Sequence, residues 1–362
     1  MTTLRISALL GLLTLVPSAA TAQRTLPRLL PAAPPAELRI LEFDAAAVTW
    51  ADDSTLVLID SDVKQVVTIG TRSGGVRRIG REGSGPGEFR FPTGLLAAGD
   101  ELLVADIGTR RVSRFDGRHR FAGSAVTPGP TLQLFGVSGG RLRLAWLDFR
   151  PTAEGPVVGE IDLASGKAAP LFAVLARDST LRVRTDGMPG PNPFVALAGG
   201  PGGTVVAASP QTYRVTVFDR SGRRLRSFGR DLRPQFRTDA EIESIVARSG
   251  RSLRSVGAAE APGSDPVEAM RRTLRKQPKP HFPMGGMAVD ADGRLWIATS
   301  RGGSATELDV FAADGTFLGT LPLAGRVSAI AIRPGWLAAL TERTSGDDEG
   351  FQGIDLYRIG GP

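Results

Sequence analysis

The chain has 362 residues, no cysteine and two histidines, with 44 Lys and Arg against 37 Asp and Glu for a net charge of +7. Without cysteine there are no disulfides, thiolate nucleophiles or cysteine metal ligands, and two lone histidines rule out a multi-histidine zinc centre. The basic surplus is small, scattered and mostly arginine, with no aromatics interleaved among basic runs, so it reads as a solvated surface and excludes a nucleic-acid-binding role.

Residues 1–22, MTTLRISALLGLLTLVPSAATA, have the plan of a signal peptide. Arg5 gives a positive start, Ile6 to Val16 an apolar run, and Ala20-Thr21-Ala22 a small-x-small cleavage site before Gln23. Cleavage removes Arg5 and no acid, so the net charge becomes 7 − 1 = +6. No later stretch approaches ~18 uninterrupted apolar residues, so no membrane span is expected in the mature chain, which reads as an exported monomer, periplasmic or secreted. Residues 23–36, rich in proline and alanine, read as an extended linker. Glu37 to Phe43 alternates and reads as a strand.

From there the chain repeats. Residues 46–60, 93–106, 134–148, 195–209, 284–300 and 327–342 each hold an apolar run, a tight Gly/Asp-type turn and a second apolar run ending at a polar residue. A second hairpin usually follows, as in 111–123, 160–172, 215–229 and 308–321. Two hairpins make four strands, and a four-stranded unit recurring every ~40–45 residues is the signature of a propeller blade. Residues 37–362 are therefore expected to form an all-β, six-bladed β-propeller with four-stranded blades. The last blade runs out after Ile354–Ile359 with no fourth strand. Residues 37–43 are expected to pair there and close the ring, protecting its edges.

The segment Gly80 to Phe121 resembles a repeat of the NHL class, through Gly83, Gly85, Gly87, Phe89, Pro92, Val104-Ala105-Asp106, Gly108, Arg111-Val112 and Phe115-Asp116. The fifth unit carries the pattern more loosely and the fourth keeps Arg214-Val215 and Phe218-Asp219. The resemblance implies an exported bacterial six-bladed propeller, a group in which many members have no assigned activity. It also accounts for REGSGPGEFRFP (81–92). The glycines precede a strand and no Gly-Lys-Ser/Thr follows, so the stretch is a corner between blades, not a phosphate cradle.

Loop lengths are lopsided. First-to-second and third-to-fourth turns share one face of a propeller and are all tight here, whereas second-to-third turns and blade crossings share the other and contain every long element. The largest is an insertion at about 230–282 between blades four and five. In it, Thr238-x-x-Glu241 forms a capping box before Ile242, Ile245 and Val246, and Asp265-Pro266 opens a second helix with Val267, Met270 and Leu274 on one side. The two helices read as a partial lid or as a packing elaboration. The cations Arg271, Arg272, Arg275, Lys276 and Lys279 read as anion contacts or as solvated helix ends. Ligands are expected on this long-loop face.

Candidate ligand-binding residues are Asp60, Asp106, Asp148 and Glu342 at second-strand ends, His281 at the exit of the insertion, and Arg110. Two readings remain open. One is a module binding a small molecule or protein through the long-loop face. The other is a calcium-dependent hydrolase or lyase, lactonase-like, holding Ca2+ with Asp60, Asp148 and Glu342 at the axial mouth. Propeller lactonases add asparagine there, whereas this chain has only Asn192, in a loop. For Asp106 the competing role is loop anchoring. Asp290-Ala291-Asp292-Gly293 lacks the remaining ligands of a calcium loop and reads as a hairpin turn. No Gly-x-Ser-x-Gly elbow or histidine–acid partnership is visible.

Overall fold

The structure is a computed structural model, and it describes residues 25–148, 150, 155–182, 195–255, 266–299, 306–343 and 350–360. The expected signal peptide 1–22, Asp265, Asn192 and Ser300 lie outside the described residues.

Six antiparallel sheets of four strands each form a ring. Blade one comprises Ala45–Trp50, Thr55–Asp60, Gln65–Gly70 and Val76–Ile79, and blade two Pro92–Ala98, Glu101–Asp106, Arg111–Phe115 and Phe121–Val126. Blade three is Thr131–Ser138, Arg141–Leu147, Pro156–Asp162 and Ala168–Ala173, and blade four Ala196–Gly200, Thr204–Ser209, Arg214–Phe218 and Arg224–Gly229. Blade five is Met287–Val289, Leu295–Thr299, Thr306–Phe311 and Phe317–Leu323. Blade six runs Arg326–Arg333, Trp336–Glu342 and Gln352–Gly360, and its fourth strand comes from the other end of the chain, Arg28–Ala32. First strands of successive blades touch around the hub, those of blades six and one included.

The ring closes as expected, but with a different segment. Arg28–Ala32, inside the expected linker, pairs antiparallel with the third strand of blade six, Leu30 opposite Arg358. Residues 37–43, expected to be that strand, instead contain a short helix, α1 (Ala36–Arg39), and one isolated bridge from Leu41 to Gln352. Leu38 is buried from the helical turn and Leu41 from the bridge that follows it, so the two do not share one face of a strand. Gln352 adds to the closure: its Oε1 accepts from the Ala45 amide at 2.6 Å, and its carbonyl accepts from the Leu41 amide at 2.7 Å. On the far side of the seam Arg333 is held between Trp50 and Trp336, its guanidinium carbon 4.5 and 5.4 Å from the two ring centres.

The core is divided among the gaps between blades, because a four-stranded sheet buries its faces only against its neighbours. One cluster joins Leu56, Leu58 and Val67 of blade one to Ala329, Leu340 and Leu356 of blade six, and five more fill the other gaps. In the corner 81–92, Phe89 is fully buried against Phe115, whereas Phe91 is 55% exposed. Gly80 has φ 75°, and a Cβ there would run into the Phe89 ring. That close approach makes glycine necessary.

First-to-second and third-to-fourth connections are all short, five residues at most (as in 290–294), and lie on what we call the turn face. The opposite, loop face carries the insertion. There α3 (Asp239–Ser255) and α4 (Pro266–Lys276) follow α2 (Val174–Arg177) in the chain. The capping box forms, with the Thr238 amide donating to Glu241 Oε2 at 2.8 Å and the Glu241 amide to Thr238 Oγ1 at 3.3 Å. Much of the cationic cluster is spent inside the insertion: Arg271 pairs with Glu243 at 2.9 Å, Arg275 with Asp239 at 3.3 Å and Lys279 with Glu241 at 2.6 Å.

Candidate functional site

In blades one and two the aspartate at the end of the second strand, a candidate ligand residue, is an anchor of its own turn. Asp60, Asp106, Ser209, Thr299 and Thr341 sit at or next to that end and are all buried. In three blades the next four residues make the same turn, closing on Lys64, Arg110 or Tyr213 with φ of 55°, 53° and 52°. The amide three residues on donates back to the anchor, Val63 to Asp60 at 3.2 Å and Thr109 to Asp106 at 2.9 Å. Asp60 Oδ2 also receives Arg78 at 2.7 Å. Asp106 takes the Arg90 and Phe91 amides at 2.6 and 3.2 Å, fixing the exit of the glycine corner. These carboxylates point into their blades, and Arg110 holds its position as the left-handed end of a turn.

This gives a direct test of Asp106. Asp106→Ala strips an acceptor from three amides and is expected to cost about 3 kcal/mol in urea unfolding, with Asp106→Asn recovering part of it. Faster amide exchange at Arg90, Phe91 and Thr109 should accompany the loss; unchanged exchange there would refute the anchoring role.

Asp148 lies just beyond the end of its strand, where Arg150 Nε binds it at 2.9 Å and holds its carboxyl below the usual range. With Arg110 it lines a cleft of ≈ 770 Å³ over Trp146 and Pro130, at blades two and three. Glu342 is in blade six, 3.5 Å from Arg326. His281 is buried, its ring edge-on to Tyr213 at 5.9 Å. Among the described residues no three His, Asp or Glu side chains gather to hold a metal ion. The structure thus brings together Arg110 and Asp148, but not the trio Asp60, Asp148 and Glu342 that the calcium reading requires. Asp290 is a hairpin anchor: it accepts from the Asp292 and Arg294 amides and from Trp296 Nε1 at 2.9 Å.

Where the helical insertion folds back over the ring, a different site appears. A cleft of ≈ 600 Å³ lies between the N-terminal half of α3 and blade six. Arg237, Glu241 and Ile245 form one wall, Lys279 and Pro283 the end, and Arg326, Val327, Glu342 and Gln352 the other wall. Burial pushes the Arg237 guanidinium down from its ordinary value, an effect that Glu241 opposes. Lys279 leads the interactions that hold the Glu241 carboxyl below its own range. Across Glu342 and Gln352, which line both, is a second cleft of ≈ 570 Å³ carrying Glu42, Asp44 and Asp62. Burial raises the Asp44 carboxyl, and Asp62 and Asp60 add repulsion. The pair of clefts is therefore cationic toward the insertion and anionic toward blade one. Phe351, Phe236 and Met284, at 51%, 57% and 43% exposure, lie on the same face.

Of these residues, the sequence reading had reached Glu342 and Lys279 as possible ligand contacts, and Glu241 and Ile245 only as parts of a helix start. Arg237, Arg326 and Gln352 carry no motif, and only the path of the insertion over blade six gathers them.

Fold and site together define a six-bladed β-propeller with a built-up loop face. No family model matches the chain, and no curated protein matches it. Among solved structures it is similar to a member of the DUF4221 family from Bacteroides vulgatus, at 11% identity and a TM-score of 0.56, over 94% of this chain and 100% of that one. It is also similar to a gluconolactonase from Xanthomonas campestris, at 15% identity and a TM-score of 0.52, over 94% and 93% of the two chains. A protein of unknown function from Bacteroides thetaiotaomicron matches at 13% identity and a TM-score of 0.51, over 94% of this chain and 74% of that one. These neighbours share the ring with this chain. At such identities they do not carry an activity over to it.

Proposed function

We propose that the protein is an exported binding module that takes its ligand in the double cleft centred on Glu342 and Gln352. The observation that carries this reading is the insertion. In it, α3 forms a wall that faces blade six across a cleft. Clefts of this size, walled by a few apolar side chains and a small set of fixed polar groups, are the usual form of ligand sites. The opposed charges favour a ligand with an acidic end toward Arg237 and a basic end toward Glu42, Asp44 and Asp62, as an extended dipolar peptide has. The exposed Phe351 and Met284 suit its apolar side chains. Export rests on the leader-like residues 1–22, and no described helix is long and apolar enough to cross a membrane.

The test uses synthetic peptides with an acidic half and a basic half, added in thermal melts of the mature protein. A saturating ligand at about 100 times its Kd stabilises by about 2.7 kcal/mol, a rise of several degrees. The Glu342→Arg variant should lose that rise while keeping its own melting temperature. If no peptide of either polarity shifts the melt at millimolar concentration, or if the variant responds as the parent does, the reading fails.

A further inference from the structure

On the turn face, far from the double cleft, a groove of ≈ 440 Å³ separates blades three and four. Four of its lining side chains are charged, Arg141, Arg143, Arg220 and Glu160, which leaves 3 − 1 = +2. Arg143 is 8% exposed and rigidly placed: it pairs with Glu160 at 2.7 Å across two strands of blade three and donates to the Gly203 carbonyl of blade four at 2.9 Å. Arg220 reaches the same Glu160 oxygen at 3.1 Å and Arg141 comes to 4.0 Å, and both stay more than half exposed. One carboxylate thus holds three guanidiniums around a single space. Arg143 leads the effects that keep the Glu160 carboxyl below its usual range, so Glu160 remains an anion that organises the cluster.

The walls are bare backbone, from Gly136, Gly199, Gly200, Gly202 and Gly203. Gly136 is the informative one. Its φ is outside the left-handed region, and a Cβ there would meet nothing within 4 Å. Gly136 adjoins a bulge in its strand, but its φ is open to other residues and no packed neighbour would meet a side chain there. What glycine does there is keep the groove open.

We propose that this groove binds the phosphate monoester of a small polar molecule. A monoester carries about −1.5 to −2 charge at pH 7 and three acceptor oxygens, matching the +2 surplus and the donors of Arg141 and Arg220. Guanidinium forks suit such a group better than ammonium ions, and every cation lining the groove is arginine. The open glycine walls take the rest of the molecule. The inference stands apart from the peptide reading, since it concerns the opposite face and different residues.

The test is titration calorimetry of the mature protein with glucose 6-phosphate, with glucose and inorganic phosphate as controls. Glucose 6-phosphate should bind, glucose should not, and free phosphate should bind more weakly. Arg220→Ala, whose side chain is mostly exposed, should weaken glucose 6-phosphate about tenfold or more, the effect of one charge-assisted hydrogen bond. Gly136→Val should abolish binding by filling the groove while leaving the melting temperature unchanged. The proposal is overturned if glucose 6-phosphate does not bind at about 10 mM, a limit already weaker than ordinary specific affinities. It is equally overturned if glucose binds as well as its phosphate, or if either variant retains full affinity.

Discussion

A chain that begins at Ala33 is expected to lose on the order of 5 kcal/mol of stability relative to one that begins at Gln23, and to aggregate on warming. The deleted segment holds the fourth strand of blade six, paired through five residues from Arg28 to Ala32. Ladder hydrogen bonds contribute about 1 kcal/mol each, and the partly buried Leu26 and Leu29, packed between blades five and six, add apolar burial. For a protein of this size the loss corresponds to about 10 °C in melting temperature. Removing the strand also bares the edge of Gln352–Gly360, an unpaired row of amides and carbonyls that can template pairing with another copy. Light scattering during the melt should therefore rise earlier in the truncated chain. A loss below about 2 °C would mean that closure rests on Leu41, Ala45 and Gln352 alone, and that Arg28–Ala32 is dispensable.

That strand was the part of the fold the sequence concealed. An outermost strand pairs on one side only and packs one face loosely, so neither strict alternation nor the absence of proline is enforced. Pro31 sits within it opposite Tyr357, and its neighbours have the composition of a linker. Residues 37–43 misled for the converse reason. They alternate in hydrophobicity, yet tertiary contacts bury Leu38 on a short helical turn and Leu41 at an isolated bridge beyond it. The hairpins were legible because each blade is buried on both faces between tight turns, and both constraints leave marks in a sequence.

The site was legible in position but not in direction. Asp60 and Asp106 do end their strands toward the loop face, but backbone amides of their own turns and of the glycine corner draw them inward. Which way a carboxylate turns depends on competition between local amides and distant ligands, and spacing does not report it. The double cleft depends on an insertion leaving blade four and lying against blade six, a long-range packing choice with no local signature. Glu342 was found because it ends a strand; Arg237 sits in an irregular stretch before a helix, where no repeat marks it.

The same long-range character makes Asp309 the most sensitive single side chain expected here. It is fully buried in the third strand of blade five, yet its partners come mainly from blade four. Tyr213 donates its hydroxyl to Oδ2 at 2.6 Å, and Arg230 approaches both carboxylate oxygens at 3.0 Å. Thr320 of the neighbouring strand donates to Oδ1 at 2.7 Å. Tyr213 also stacks edge-on against Phe282 at 5.3 Å, where the insertion returns to the ring. The carboxylate therefore ties two blades together at the root of the insertion. Asp309→Ala leaves a largely buried guanidinium and a buried phenol without this acceptor, and losses of this kind run to about 3–5 kcal/mol. Asp309→Asn keeps the shape and one acceptor oxygen, so it should cost less. A double-mutant cycle with Tyr213→Phe separates the tyrosine's share. Coupling of about 1–2 kcal/mol is expected if the hydroxyl bond is made, because its loss is then already included in the Asp309→Ala change. Strict additivity would show that the two groups do not interact. An Asp309→Ala protein as stable as its parent would show that the blade four–five interface rests on apolar packing alone.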